Sequence, residues 1–404
     1  MTKALIILAA LLAGLVAGIA LQGTGVGIAE TVGTMWLNGL KMTIVPLVVA
    51  LLVIGIARTA AAARAGRIAF WSMMGILAVT AVSILIGMSL TPLLLEGLPI
   101  PAESASAMRR ALGTVAEVTA PPGFAETFKL IVPANVIDTA ARTDILPLLV
   151  FTLIFAFALT RLPDKQRGTL TDFFDALAAA MVVVIQWVLW LAPLGVFALA
   201  FVVGAVAGGS ALGTLAHYIV IVSIPGLAVT ALAYLIARFG AGIGFGRYAR
   251  AISQPQLLAI STQSSLACLP ICLEKAEELG VPEEHAGITL PMCVALLRAT
   301  GPAMNVAVAI YIATWFEIPI APAQLVLAFF AAMLASLSAV SLPGTVSFFS
   351  SMVPICLALG VPIEPLALLI AVETIPDMTR TLGNVTANVA LAATVSKRAG
   401  TAKA

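Results

Sequence analysis

Up to about residue 240 the chain alternates long apolar runs with short polar connections. The runs lie near 4–21, 32–57, 68–95, 145–160, 176–205 and 214–237. A helix that crosses a bilayer takes about 20 mostly apolar residues, so each run predicts one membrane span. The first follows Lys3, and no small-residue cleavage site with a polar mature domain comes after it. It therefore reads as a retained span rather than a signal peptide. Beyond 240, Ser, Pro, Gly and single charges interrupt the apolar sequence. There the pattern predicts a hairpin over about 244–280, a span over 286–316, a second hairpin over 323–361 and a last span over 364–396. The chain thus divides into 1–240, mostly simple spans, and 241–398, a polar-interrupted half.

The two hairpins are predicted from a shared local pattern. Ser261-Thr262-Gln263-Ser264-Ser265 runs on to Leu269-Pro270, and Ser336-Leu337-Ser338-Ala339-Val340-Ser341 runs on to Leu342-Pro343-Gly344. Proline cannot continue a helix ladder, and serine competes for backbone hydrogen bonds. At membrane depth, freed backbone groups are tolerated only inside protein or along a wet cavity. Both segments are therefore expected to be re-entrant, with Ser264, Ser265, Ser341 and Gly344 at the tips facing a solute. The backbone carbonyls of Ser336, Leu337 and Ala339 are the place where a weak cation site is expected. Paired interrupted segments of this kind mark transporter binding sites.

The last span carries Glu373, Asp377, Arg380, Thr381, Asn384 and Asn388 in otherwise apolar surroundings. From Asp377 onward, the spacing puts these side chains on one helix face. Ionisable groups in a span usually face a cavity and mark function. The guanidinium fork of Arg380 matches a carboxylate. Asp377 is placed either to hold an ammonium group or to pair with Arg380. A second buried cation is expected at Arg298, beside Thr300 and ahead of Gly301-Pro302, where the helix should break.

Composition agrees with lipid as the solvent: 61% of the residues are hydrophobic and only 10% charged, against about 25% charged in soluble domains. A net charge of +2 gives no case for nucleic acid. Cys268, Cys272, Cys293 and Cys356 lie in apolar sequence, where packing explains them, and no metal or cofactor is expected. Arginine and lysine collect between spans two and three, four and five, after span six and at the C-terminus. The positive-inside rule then puts both termini on the cytoplasmic side of a cytoplasmic (inner) membrane. Ser264 or Ser265 as a catalytic nucleophile would need a base, and His217 and His285 fall at the expected membrane–water borders. The chain does not read as an enzyme.

At this point the sequence resembles the dicarboxylate/amino acid:cation symporter family, with the glutamate-transporter fold. Pro133-Ala134-Asn135, Ile145-Leu146-Pro147, Ala192-Pro193-Leu194-Gly195, the Gln263–Pro270 segment and Asp377-Met378 with Arg380-Thr381 and Asn384-Val385-Thr386 carry the likeness in order along the chain. The resemblance implies an all-α membrane protein of eight spans and two re-entrant hairpins built from inverted repeats, trimeric and surrounded by lipid. Residues after 240 would move like an elevator against a scaffold. It also implies that Arg380 binds a distal carboxylate, Asp377 an amino group, and Thr381 and Asn384 the main carboxylate.

The likeness fails at the family's sodium sites. Where relatives carry Asn-Met-Asp-Gly-Thr, this chain has Leu297-Arg298-Ala299-Thr300-Gly301, and Asn388 stands where they carry a late aspartate. On span three the corresponding positions are Ser72, Gly75 and Ile76. Charge on the ligands largely sets affinity for a hard cation. The expectation is an anionic small-molecule transporter for an acidic amino acid or dicarboxylate, with proton favoured over sodium and Glu373 as proton carrier. The alternatives are an uncoupled exchanger or uniporter, or an anion channel or sensor of the same fold. Arg298 would then contact substrate or stand in for a cation.

Overall fold

The computed structural model describes residues 2–21, 24–62, 66–111, 132–142, 145–338 and 344–401, in which helices and turns occur and no strand. In the first half, α1 (Thr2–Ala20), α2 (Val26–Lys41), α3 (Ile44–Ala62), α4 (Arg67–Gly97) and α5 (Ala102–Ala111) follow in order. Next come α6 (Val136–Ala141), α7 (Ile145–Leu159), α8 (Asp164–Trp190), α9 (Ala192–Ala207) and α10 (Ser210–Leu235), the last running into a π turn at Ile236–Ala241. Among the described residues, five helical stretches are long and apolar enough to cross a membrane by length and composition.

The run expected as a single span at 176–205 differs in form. Its helix starts earlier, at Asp164, and breaks at Leu191, ahead of Pro193 in the first turn of α9. Proline supplies no N–H to continue the ladder. The two halves then pack on different partners: α8 lies on α3, and α9 on α1 and α2. The connection at 96–144 also holds structure at its ends, since Trp315 Nε1 donates to Ala105 O at 3.3 Å and Asn135 caps α6.

The second half is built of broken pairs. Helices α11 (Phe245–Thr262) and α12 (Leu269–Glu278) flank a turn at the serine-rich segment, and Gln263 starts that turn with φ 53. Helix α13 (Glu283–Leu296) is separated from α14 (Gly301–Trp315) by four residues outside the helix. Helices α15 (Pro322–Ser338) and α16 (Gly344–Leu359) pack against each other. Ala339, Val340, Ser341, Leu342 and Pro343 lie outside the described residues. The chain ends with α17 (Glu364–Leu369) and α18 (Thr374–Thr401).

Two large apolar clusters organise the molecule. One gathers mainly α1–α3, α5, α7, α9 and α14–α17, the other mainly α11–α13 with α18, and α4 and α10 contribute to both. The break between α13 and α14 falls where they meet. A helix start leaves N–H groups without partners; Ser83 Oγ of α4 accepts one of them, from Ala303 N at 3.2 Å. Gly87 of α4 lets that backbone come close, because a Cβ there would overlap Ala303. The interrupted backbone is thus held on α4 and faces α18.

Candidate functional site

The polar residues of α18 meet the break before α14. Thr300 N donates to Asn384 Oδ1 at 3.0 Å, and the Thr300 hydroxyl lies 2.7 Å from Arg380 O and 2.9 Å from Asn384 Oδ1. With its oxygen held by Thr300, Asn384 has its amide protons as donors for a ligand. Thr381 Oγ1 returns to Asp377 O at 2.9 Å. Thr300, Thr381 and Asn384 are all buried.

Arg380 is the centre of this cluster and is 8% exposed. Its Nη1 donates to Asp377 Oδ1 at 3.0 Å. Its Nη2 stands 2.6 Å from Glu373 Oε1 as a contact ion pair, out of line for a hydrogen bond. Its Nε makes no hydrogen bond to the described residues. Glu373 is 4% exposed, and Tyr218 of α10 donates to its other oxygen, Oε2, at 3.1 Å. Charges buried in this way need partners to offset lost hydration, and here the partners come from the same chain. Arg298, half-buried in the break, lies near enough to attract Asp377 and to repel Arg380.

The first serine-rich tip reaches the same place, since Gln263 Nε2 donates to Thr374 O at 3.3 Å, next to Glu373. Ser264 and Ser265 are half-buried at that tip, and Ser264 Oγ accepts from Ala267 N. At the second tip, Ser336 and Leu337 are buried and Ser336 Oγ has no hydrogen-bond partner among the described residues. Gly344 opens α16, whereas Ser341 and Ala339 fall outside the described residues. The structure therefore gathers Arg380, Asp377, Glu373, Thr381, Asn384, Thr300 and Arg298 in one locus, with the Gln263–Ser265 tip beside it.

Most of the likeness-based sodium positions are packed, while Asn388 is fully buried with neither amide atom hydrogen-bonded among the described residues. Leu297 and Ala299 are buried, Gly75 faces the Leu391 side chain, and Ser72 shares a 3.0 Å hydrogen bond with Thr289. The histidines are engaged elsewhere: His217 with Tyr311 and the Leu98 carbonyl, His285 with Ser396. Tyr218 is the member of the cluster that the sequence did not mark. It sits in an ordinary apolar span, and only the turn of α10 toward Glu373 reveals it.

Residues 4–398 match the sodium:dicarboxylate symporter family. Over 379 residues the chain is 29% identical to the proton/sodium-glutamate symport protein of Bacillus subtilis (strain 168), covering 92% of this chain and 86% of that one. It is 28% identical over 375 residues to the proton/glutamate-aspartate symporter of Escherichia coli (strain K12), covering 92% and 85%. It is also 29% identical over 289 residues to a C4-dicarboxylate transport protein of Anaeromyxobacter sp. (strain K), covering 71% and 64%.

Proposed function

The chain belongs to the sodium:dicarboxylate symporter family, and from that premise we propose that it carries an acidic amino acid or C4-type dicarboxylate across a cytoplasmic membrane together with protons. The family is one of transporters rather than enzymes. The observation that carries the reading is the buried Arg380 in a 28-residue helix, held by carboxylates yet with an unsatisfied Nε. A guanidinium so placed can take a solute carboxylate through two parallel hydrogen bonds.

In this reading Arg380 holds the distal carboxylate and Asp377 the amino group of an amino acid. The amide protons of Asn384 and the hydroxyl of Thr381 serve the other carboxylate. The tips at Ser264–Ser265 and Ser341–Gly344 close over the solute. The contact of α4 and α10 with α18 supports a mobile unit that includes parts of the first 240 residues. The assembly is a homotrimer in lipid, each subunit with eight spans, two re-entrant hairpins and cytoplasmic termini, working as an elevator.

Proton is favoured over sodium because the positions of the family's sodium carboxylates hold Ala299 and Asn388. Glu373 is the carboxylate in the site that can take a proton up and release it. Reconstituted protein in liposomes tests this. Accumulation of labelled glutamate, aspartate or succinate should follow an imposed proton gradient and persist without sodium. Sodium-driven accumulation at equal pH on both sides would overturn proton coupling. Saturable exchange with no accumulation under either gradient would favour the exchanger instead.

A further inference from the structure

We infer that one end of the molecule holds the headgroup of an anionic phospholipid. The site is the corner where the start of α4, the π turn after α10 and the end of α18 bring Arg67, Arg238, Lys397 and Arg398 together. It is separate from the solute site and independent of the solute carried.

Packing builds the corner. A Cβ on Gly240 would overlap the Thr394 side chain, and Thr394 Oγ1 lies 3.4 Å from Ile236 O. The π turn is thereby seated on α18. Gly242 follows the turn with φ 80, and a Cβ there would stand 2.9 Å from Lys397 Nζ. Next along α18, Arg398 lies over the indole of Trp71 on α4, its Cζ 5.9 Å from the ring centroid. Contacts of this kind attract a guanidinium to an aromatic face. Arg67 opens α4 one turn before Trp71, and Arg238 lies over the neighbouring Phe239 ring at 5.9 Å. All four cations are exposed.

The charge supplied to this corner has one sign. No Asp or Glu occurs in 56–95, 176–273 or 378–404, the stretches that form it. Helix α13 starts beside the end of α18, since His285 Nδ1 lies 2.9 Å from Ser396 Oγ. Its acids, Glu283 and Glu284, occupy its own first turn, where the helix dipole favours negative charge. On α12, Lys275 meets Glu274 at 2.9 Å and Glu278 at 2.6 Å. The connection before α8 also balances itself, with Arg167 2.5 Å from Asp164.

Apolar surface lies beside these cations. Phe70 and Met74 on α4, Leu235 on α10 and Phe239 in the π turn are each more than a third exposed. Aromatic side chains at the end of a span sit at headgroup level, and basic pockets between spans take anionic headgroups. A phospholipid matches both parts: its phosphate meets the cations while its acyl chains lie on the apolar rim. A water-soluble phosphate would leave that rim uncovered. Lys397 is about 25 Å along α18 from Arg380, at 1.5 Å per residue. The lipid therefore anchors the far end of the helix that carries the candidate solute site.

Native mass spectrometry of the purified full chain in detergent, titrated with phosphatidylglycerol, cardiolipin or phosphatidylcholine, tests the site. Saturable adducts with the two anionic lipids are expected, and much weaker ones with phosphatidylcholine. The combined variant Arg238→Gln, Lys397→Gln and Arg398→Gln should bind the anionic lipids roughly 100-fold more weakly. Arg238→Lys with Arg398→Lys keeps the charge and should retain most of the binding. Arg161→Gln with Lys165→Gln, near the start of α8, should bind as the wild type does. An unchanged unfolding temperature in detergent identifies the variants that have folded, and the Lys pair tests the corner if the Gln variant has not. Equal loss in the two Gln variants, loss in the Lys pair as large as that expected of the Gln variant, or equal binding of phosphatidylcholine would overturn the inference. Displacement of the anionic lipids by millimolar inorganic phosphate would overturn it too, by making free phosphate the ligand.

Discussion

At the scale of single residues, the account turns on Arg380 and the groups that hold it. Lysine there would keep the charge but lose the planar fork. Losing a charge-assisted hydrogen bond costs about 1.5–3 kcal/mol, so Arg380→Lys should weaken solute binding by roughly 10- to 100-fold. Thermal-shift titration is the check, and undiminished affinity would contradict the assignment. Thr300→Val removes the hydroxyl shared by Arg380 O and Asn384 Oδ1; a loss of about 1 kcal/mol of stability is expected, seen as a lower unfolding temperature. Much of this cluster was legible in the sequence, because charges in an apolar helix stand out and Asp377 with Arg380 has helical spacing. The partners brought in by the fold were not. Tyr218 is 155 residues from Glu373, and a tyrosine in an apolar run carries no periodic signal that separates ligand from core. The Thr300–Asn384 lock was hidden for the same reason: each residue is readable alone, but their meeting depends on how α13, α14 and α18 cross.

Among the elements, the breaks were the readable part. Ser264-Ser265 with Pro270 announced the interruption at 263–268 and Gly301-Pro302 the one at 297–300: proline removes a backbone donor, serine offers the backbone another partner and glycine adds conformational freedom. The bend at Leu191 was missed because apolarity alone cannot tell one straight helix from two. A further element-level signal is Gly14-Leu15-Val16-Ala17-Gly18 in α1, a small-residue spacing that allows helices to approach closely in lipid. In the structure a Cβ at Gly14 would overlap the carbonyl of Phe197, and one at Gly18 that of Phe201. Overpacking such a contact costs about 1–3 kcal/mol, so Gly18→Leu should lower the unfolding temperature. Gly27→Ala on α2, where a Cβ meets open space, should be neutral or slightly stabilising. Equal behaviour of the two variants would show that the close α1–α9 contact is unimportant.

For the whole molecule, the arrangement of charge relates fold to transport. Apart from the site, the ion pairs among the described residues are mostly peripheral, and two join the halves: Arg109 of α5 with Glu317, and Lys41 of α2 with Glu364 of α17, the latter 2.7 Å apart and both partly exposed. Exposed pairs contribute about 0–1 kcal/mol, so Lys41→Met should hardly change stability. If α17 moves relative to α2 in each cycle, however, the variant should turn over faster with unchanged solute affinity, as measured by initial uptake rates. The likeness of the two serine-rich segments was visible in the sequence, whereas the packing of α11 and α12 on α18 depended on how the apolar clusters come together. The most direct measurement of the central claim is equilibrium binding of an acidic solute to purified wild-type protein and to Arg380→Lys, in parallel at one pH. The expected result is saturable binding by the wild type and a marked loss in the variant, with Gly27→Ala binding as the wild type does. Equal affinity in all three would mean that the solute carboxylate is held somewhere other than at Arg380.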